Sequence, residues 1–262
     1  MDIANKKSRT VLISMALLAL IVGLGTGLVA LAASLGVVAG LWEYRTGFQI
    51  LRTIIPYSGY IAVGCLILAV FVGVLGQKWN VRGVAKLVGL AAVGMVSASI
   101  AWYIPNSYQA PEGQSWPSIH DISTDTNNPP DFVAVLPLRA DAPNTAVYGE
   151  SSEMTPEKLA RLQREAYPDI KPVVLDVTAD AAFDRALAAV ELLGWELVEA
   201  DRQAGRIEAT DTTFWFRFKD DIVIRIRAEA SGTRVDARSV SRVGRGDAGT
   251  NAKRLRRFFE VL

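Results

Sequence analysis

The sequence predicts a membrane α-helical anchor of three transmembrane helices followed by an α+β domain. In that domain an antiparallel sheet runs in β-α-β-β-β-β-α order with both helices on one face. Three observations carry this. The first 104 residues hold eight basic residues (Lys6, Lys7, Arg9, Arg45, Arg52, Lys78, Arg82, Lys86) against only Asp2 and Glu43. The rest of the chain is charged throughout, with 20 basic and 25 acidic residues. From Val173 onward, alternating strand patterns are flanked by two stretches of helical period. A nearly acid-free apolar part before a charged part has the composition of an anchor joined to a water-exposed domain.

The anchor, residues 1–104, is expected to span at about 11–41, 54–76 and 84–104. No residue from Thr10 to Leu41, from Thr53 to Gln77 or from Leu87 to Ile104 is charged. A spanning helix needs ~20 such residues. The third run is the shortest; Lys86 at its start can extend its head toward water, and Pro105 follows its end. Trp42, Tyr44, Tyr57, Trp79, Trp102 and Tyr103 flank the runs, as interfacial aromatics do. Ala30-Leu31-Ala32 resembles a cleavage site, but the apolar core from Val11 is too long for a signal peptide. The basic residues before the first span and between the second and third place both segments in the cytoplasm. Three spans then put the C-terminal domain in the periplasm or otherwise outside the cytoplasm, and the expected location is the bacterial inner (cytoplasmic) membrane. The lipid bilayer is the first partner. Gly23-x-x-x-Gly27, Gly36-x-x-x-Gly40 and Gly94-x-x-x-Ala98 allow close helix approach. They serve either a homodimer through Gly23/Gly27 or Gly36/Gly40, or packing within the anchor. No ionisable side chain lies deep in a span, which argues against a transporter. Cys65, the single cysteine, permits no internal disulfide.

Residues 105–172 read as a Pro-rich connecting segment. Ser118 to Asp131 holds His120, Asp121, Asp125 and Asp131, residue types that can bind metal. The same composition is ordinary turn chemistry, and the turn reading is preferred. One histidine in the chain excludes H-E-x-x-H sites. Metal and cofactor are both read as none. Thr155 then caps a short helix with Pro156 at its first position, and Pro168 stops it.

The core, residues 173–262, opens with a strand from Val173 to Thr178. A helix follows from Ala179 to Leu193, with Phe183, Ala186, Leu187 and Val190 on one stripe and Gly194 as its stop. Trp195–Ala200 and Arg206–Thr210 form a hairpin. Phe214 to Lys219 alternates, either continuing the second arm or standing alone, with Phe214, Phe216 and Phe218 facing inward. Asp220-Asp221 reads as a turn. Ile222–Glu229 pairs with Thr233–Ser241. The last helix begins near Asp247, with Leu255, Phe258, Phe259 and Leu262 as its stripe.

The outer face of this sheet carries Arg217, Arg225, Arg227, Arg234 and Arg238, with Trp215 and Asp236. An anionic ligand, a solvated face, or a cover by the connecting segment would each suit it. Residues 105–201 hold 17 acidic against 6 basic residues, and residues 202–262 hold 14 basic against 8 acidic. That complementarity favours the cover. Nucleic acid is not expected outside the cytoplasm.

Gly244-Arg-Gly246-Asp-Ala-Gly249 matches the dinucleotide fingerprint, but no parallel strand or acidic residue about 20 positions later follows it. Two readings remain. Backbone N–H groups at the helix start hold an anion, helped by Ser239, Arg242, Arg245 and Asn251, or Asp247 caps the helix. No G-x-S-x-G, domain cysteine or Walker loop is present.

Thr124-Asp-Thr-x-Asn-Pro-Pro, Tyr167-Pro-Asp, Gly194-Trp and Ser239-x-Ser-Arg-Val-Gly, with Asp247-x-Gly-x-Asn251 and Arg254, carry a family resemblance. Over about residues 116–262 the chain resembles a bacterial membrane-anchored family catalogued as domain of unknown function number fourteen ninety-nine. The pattern leads one to expect Ser near Gly246, where this chain departs. The resemblance implies no reaction and no cofactor. Its motif residues, with their neighbours, give the candidate site: Asp121, Asp125, Asn128, Ser239, Arg242, Asp247, Asn251 and Arg254. They form either a ligand site or a structural polar cluster, with Arg242, Asp247 and Asn251 meeting the Asp121–Asp131 segment. The leading expectation is a binding or interaction module of the cell envelope, alone or as a subunit of a larger complex. The alternative is a hydrolase using Asp121, Asp125 and His120.

Overall fold

A computed structural model describes residues 3–150 and 154–262, with side chains from Lys6 onward. The chain forms two compact units, residues 1–109 and 110–262.

In the first unit, α1 (Ile3–Val38), α2 (Tyr44–Lys78) and α3 (Val84–Asn106) are each long and apolar enough to cross a membrane. They pack on one another through small residues. A Cβ at Gly23 would lie 2.2 Å from the Gly94 carbonyl oxygen, and one at Gly27 would lie 2.1 Å from the Ser97 hydroxyl. Gly36 accepts the Trp42 ring in the same way. These glycines therefore serve helix packing inside this anchor. The Cys65 thiol donates to the Ala19 carbonyl at 3.3 Å.

In the second unit, β1 (Asp121–Ser123) is followed by a 3-10 turn (Leu136–Arg139) and α4 (Pro156–Ala166). Then come β2 (Val173–Leu175), α5 (Ala179–Leu192), β3 (Glu196–Asp201), β4 (Arg206–Thr212), β5 (Lys219–Glu229), β6 (Gly232–Ser241) and α6 (Thr250–Val261). Every pairing is antiparallel, in the order β1-β6-β5-β4-β3, and β2 also pairs with β6. Thr155 and Thr178 cap α4 and α5, accepting from the amides of Lys158 and Ala181.

Both α5 and α6 lie on one face of the sheet. Ile222, Ile224 and Ile226 of β5, opposite Ser239, Ala237 and Val235 of β6, pack beneath Phe183, Ala186, Val190, Leu255 and Phe258. Strand side chains alternate between faces, so Asp221, Val223, Arg225 and Arg227 lie on the other side. That second face is not open to water. Residues 125–150 lie across it, and Phe132 and Val135 pack on Val223 and Val240.

Three expectations are corrected. Asp220-Asp221 does not turn the chain. Both lie in β5, 3% and 0% exposed, paired with Ser241 and Val240. Arginines distant in sequence neutralise them, which is why two adjacent acids can occupy a buried strand. Phe214–Phe218 is neither a strand nor part of the core. Pairing of β4 with β5 already closes at Thr212 and Lys219, and Thr213 and Phe218 bond each other across the remaining loop. Arg217 adopts a left-handed φ of 55° within it, and Phe214 is 77% exposed. Finally, residues 121–123 extend the sheet, although the connecting segment reads as irregular. A three-residue strand is too short to show alternation.

This sets apart two aspartate substitutions. Ile224→Asp buries an unpaired charge at a fully buried position and is expected to abolish the cooperative melt, since such a charge costs several kcal/mol or more, about the stability of a domain. Phe216→Asp should still melt cooperatively. Thermal denaturation followed by circular dichroism distinguishes the pair, and equal loss in both would contradict the placement of Phe216 outside the core.

Candidate functional site

A buried carboxylate requires compensating donors. The covered face of the sheet holds four: Glu208, Asp221, Asp236 and Asp121, none more than 4% exposed. Glu208 and Asp221 take groups of the segment that follows β1 directly, and Asp121 and Asp236 hold arginines that reach it.

Glu208 of β4 accepts the backbone N–H groups of Val133, Ala134 and Val135 at 2.9, 3.0 and 2.9 Å. Arg206 Nε lies 2.9 Å from the same carboxylate. Asp121 forms a two-pronged pair with Arg238, Nε to Oδ1 at 2.9 Å and Nη2 to Oδ2 at 2.8 Å. Two further Arg238 hydrogens reach the carbonyls of Pro130 and Ala146. Its guanidinium also lies over the rings of Phe132 and Tyr148, 5.0 and 5.3 Å from their centroids. Burial, with the Asp121 charge beside it, raises the pKa of the Tyr148 phenol.

Asp236 takes Arg225, Arg227 and Arg234. Asp125 joins this group through Arg234, at 2.8 Å. Its other oxygen accepts the amides of Asn127 and Asn128, the turn chemistry read from the sequence. The Asn128 carbonyl accepts from Arg225. Burial alone would raise the Asp236 pKa, but hydrogen bonds from Arg234 and Arg225 outweigh it and hold the value below the ordinary one.

Asp221 accepts from Arg139, from Arg242 Nε and Nη2 at 2.9 and 2.8 Å, and from the Thr210 hydroxyl at 2.7 Å. Here too burial raises the pKa and is outweighed, by the hydrogen bonds of Arg242, Thr210 and Arg139, so the carboxylate titrates below its usual range.

A separate cluster lies on the helix face, where α6 meets β6. Asn251 uses its full amide capacity. Its Nδ2 donates to the His120 carbonyl and the Ser241 hydroxyl, both at 2.9 Å. Its Oδ1 accepts from the Ser239 hydroxyl and from Arg254. Arg254 also pairs with Asp211 and Asp220, at 2.8 and 2.7 Å. Asp247 accepts the amides of Gly249 and Asn251 at 2.9 and 2.8 Å. It bonds the first turn of α6, whose N-cap position is Gly249, and not the Asp121–Asp131 segment. Burial raises its pKa above the ordinary aspartate value despite those two bonds.

The sequence-derived candidates therefore divide. Ser239, Asn251 and Arg254 form one cluster, with Asp247 bonded to the start of the same helix. Asn251 reaches the connecting segment only through the His120 backbone. Asp121 belongs with Arg238, while Asp125 and Asn128 belong with Arg225, Arg234 and Asp236. Arg242 stands apart from the Asp121–Asp131 segment and bonds Asp221 and the Leu138 carbonyl. Glu208, Asp221, Arg139 and Asp236 were missed as site residues. Their one sequence signal is position. Asp221, Arg225 and Arg227 fall on one side of an alternating strand, and Glu208 falls on the matching side of β4.

The whole forms a membrane-anchored antiparallel α+β domain with a polar, covered sheet face. The family of proteins of unknown function DUF1499 matches residues 121–262, and the chain belongs to it. No curated protein and no solved structure matches the chain.

The division into clusters predicts how substitutions combine. Asp221→Ala strands two arginines and should cost about 3–5 kcal/mol. With Arg242→Ala the double variant should lose less than the sum, because the two residues share one interaction. Arg242→Ala with Asp125→Ala should add to within about 0.5 kcal/mol. Urea denaturation of the three single and two double variants checks this, and coupling of Arg242 to Asp125 would contradict the geometry.

Proposed function

We propose that the protein is an interaction module of the bacterial envelope. Its three helices are held in the inner membrane with the N-terminus in the cytoplasm, and its α+β domain lies outside the cytoplasm. The observation that carries the reading is how the polar side chains of the family motif are used. Asp121, Asp125, Ser239, Asn251 and Arg254 are all bonded within the fold, which suits a rigid platform rather than a reacting centre. Side lies with the basic residues around Lys78 and Arg82, which belong to a cytoplasmic loop.

An anion held at the centre of the sheet draws no support from the geometry, because Arg225, Arg234 and Arg238 are committed to Asp236, Asp125 and Asp121. The hydrolase alternative fares no better. Asp121 is locked to Arg238. Asp125 is held by Arg234 and by two amides. The His120 ring faces the Arg245 carbonyl, 3.5 Å from its Nδ1.

A reporter enzyme active only outside the cytoplasm should be active when fused after Leu262 and inactive when fused after Asn80. Reversed activity at either position would overturn the proposed side. Hydrolysis of a general ester or phosphate substrate by the purified full chain, abolished in both His120→Gln and Asp125→Asn, would overturn the interaction reading in favour of the enzyme.

A further inference from the structure

We propose that one end of the sheet, carrying the Thr213–Phe218 loop, rests in the interfacial layer of a lipid bilayer. The loop reads Thr-Phe-Trp-Phe-Arg-Phe and leads into Lys219. Phe214 is 77% exposed, and Arg217 and Lys219 are exposed beside it. The aromatic side chains brace one another. Phe214 packs edge-on to Trp215, and Phe216 stacks on Phe218. A phenyl ring as exposed as that of Phe214 is costly to hold in water. Aromatic rings with a polar edge, flanked by cations, suit the headgroup layer, where the rings meet acyl chains and the cations meet phosphates. Arg217 occupies a left-handed backbone conformation without being glycine, a form of local strain that concentrates at binding segments.

The topology of the second unit supports a bilayer rather than another partner. Its chain enters at the same end of the sheet. Asp121 pairs with Val240, the Ser241 amide bonds the His120 carbonyl, and Ser241 pairs with Asp220, two residues past the loop. Trp116 and Pro117 of the entering segment lie against Gly249 and Gly246. Only residues 107–120 separate α3 from β1. The segment that leaves the anchor therefore enters the second unit at this end of the sheet. Exposed Leu138 belongs to the same end, since its carbonyl accepts from Arg242, which follows β6 directly.

The opposite end differs in character. It carries the Arg202–Gly205 and Ala230–Ser231 turns, where Asp180 and Asp184 pair with Arg202, and exposed Arg227 and Glu229. The eleven residues of β5 separate the two ends by roughly 35 Å. The end where the chain enters is thus aromatic and basic, and the far end is polar with charges of both signs. Both features hold whichever side of the membrane the domain occupies.

The test uses the full chain in vesicles of phosphatidylethanolamine and phosphatidylglycerol. A nitroxide is placed at Phe214→Cys, or at Ser231→Cys as the far-end control, each with Cys65→Ala. Paramagnetic resonance then compares collision with oxygen, which enriches in lipid, and with a water-soluble nickel chelate. The proposal requires collisions at 214 to favour oxygen and those at 231 to favour nickel, so that the ratio inverts between the labels. Nickel access at 214 equal to that at 231 would overturn it. So would spin–spin broadening at 214 that fades on dilution into excess vesicles, which would assign the loop to a second copy of the chain. A second measurement needs no label. Brominated phospholipid should quench the tryptophan component that Trp215→Phe removes, and an unquenched difference spectrum between wild type and this variant would also overturn the proposal.

Discussion

Burial of a carboxylate without a partner costs so much that a protein must either exclude it or build a partner for it. The second unit of this chain takes the second course four times on one sheet face. Glu208, Asp221, Asp236 and Asp121 point away from the helices into a space that loops cover. Their partners come from the covering chain as well as from the sheet. Glu208 takes three amides of residues 133–135, Asp221 takes Arg139, and Arg238 carries Asp121 while reaching the carbonyls of Pro130 and Ala146. The cover and the sheet are thus mutually required. Removing it would leave polar groups that are now internally bonded without partners, and restoring water to each would not recover the packing of Phe132 and Val135 on Val223 and Val240.

Such networks are weak evidence for stability in themselves, since a well-packed apolar face can be as stable or more so. What they supply here is definition. An irregular segment with seven prolines between residues 105 and 143 has no periodic pattern to fix its position by apolar contact. Directional bonds to carboxylates at fixed strand positions do that instead, and the Asp125 turn and the Pro130 carbonyl set where the chain bends across the sheet. The helix face follows the opposite rule. There, apolar stripes set the packing, and one saturated polar cluster of Asn251, Arg254 and Ser239 sets the approach of α6.

Much of the architecture was legible because it rests on local periodicity. The three apolar runs, the stripe of Phe183, Ala186 and Val190, the alternation of Ile222, Ile224 and Ile226, and the caps at Thr155 and Thr178 all lie within short windows. The charge complementarity between residues 105–201 and 202–262 indicated the cover. Its attachments were hidden, because each joins residues far apart: Arg139 to Asp221, Glu208 to Val133, Asp121 to Arg238. Local rules also misled in two places. Adjacent aspartates usually mark a turn, but remote arginines made Asp220 and Asp221 tolerable inside a strand. The alternation from Phe214 to Phe218 imitates a strand, but β4 and β5 are already paired to the loop's base, so the segment closes their hairpin as a loop. Within the candidate site, Asn251, Ser239 and Arg254 were found together because α6 spacing and the end of β6 bring them close. Arg242 was misassigned because the sequence does not show which of several acids it meets.

Buried carboxylates fasten the irregular segment to the sheet, and the Glu208 contact offers the sharpest test. Hydrogen exchange of the full-length protein should show the amides of Val133, Ala134 and Val135 protected to the same degree as those of β5. In Glu208→Gln, which offers one acceptor oxygen in place of two, protection of residues 133–135 should fall while that of β5 persists. Rapid exchange of these three amides in the unaltered protein, at the rate of an unstructured loop, would contradict the account.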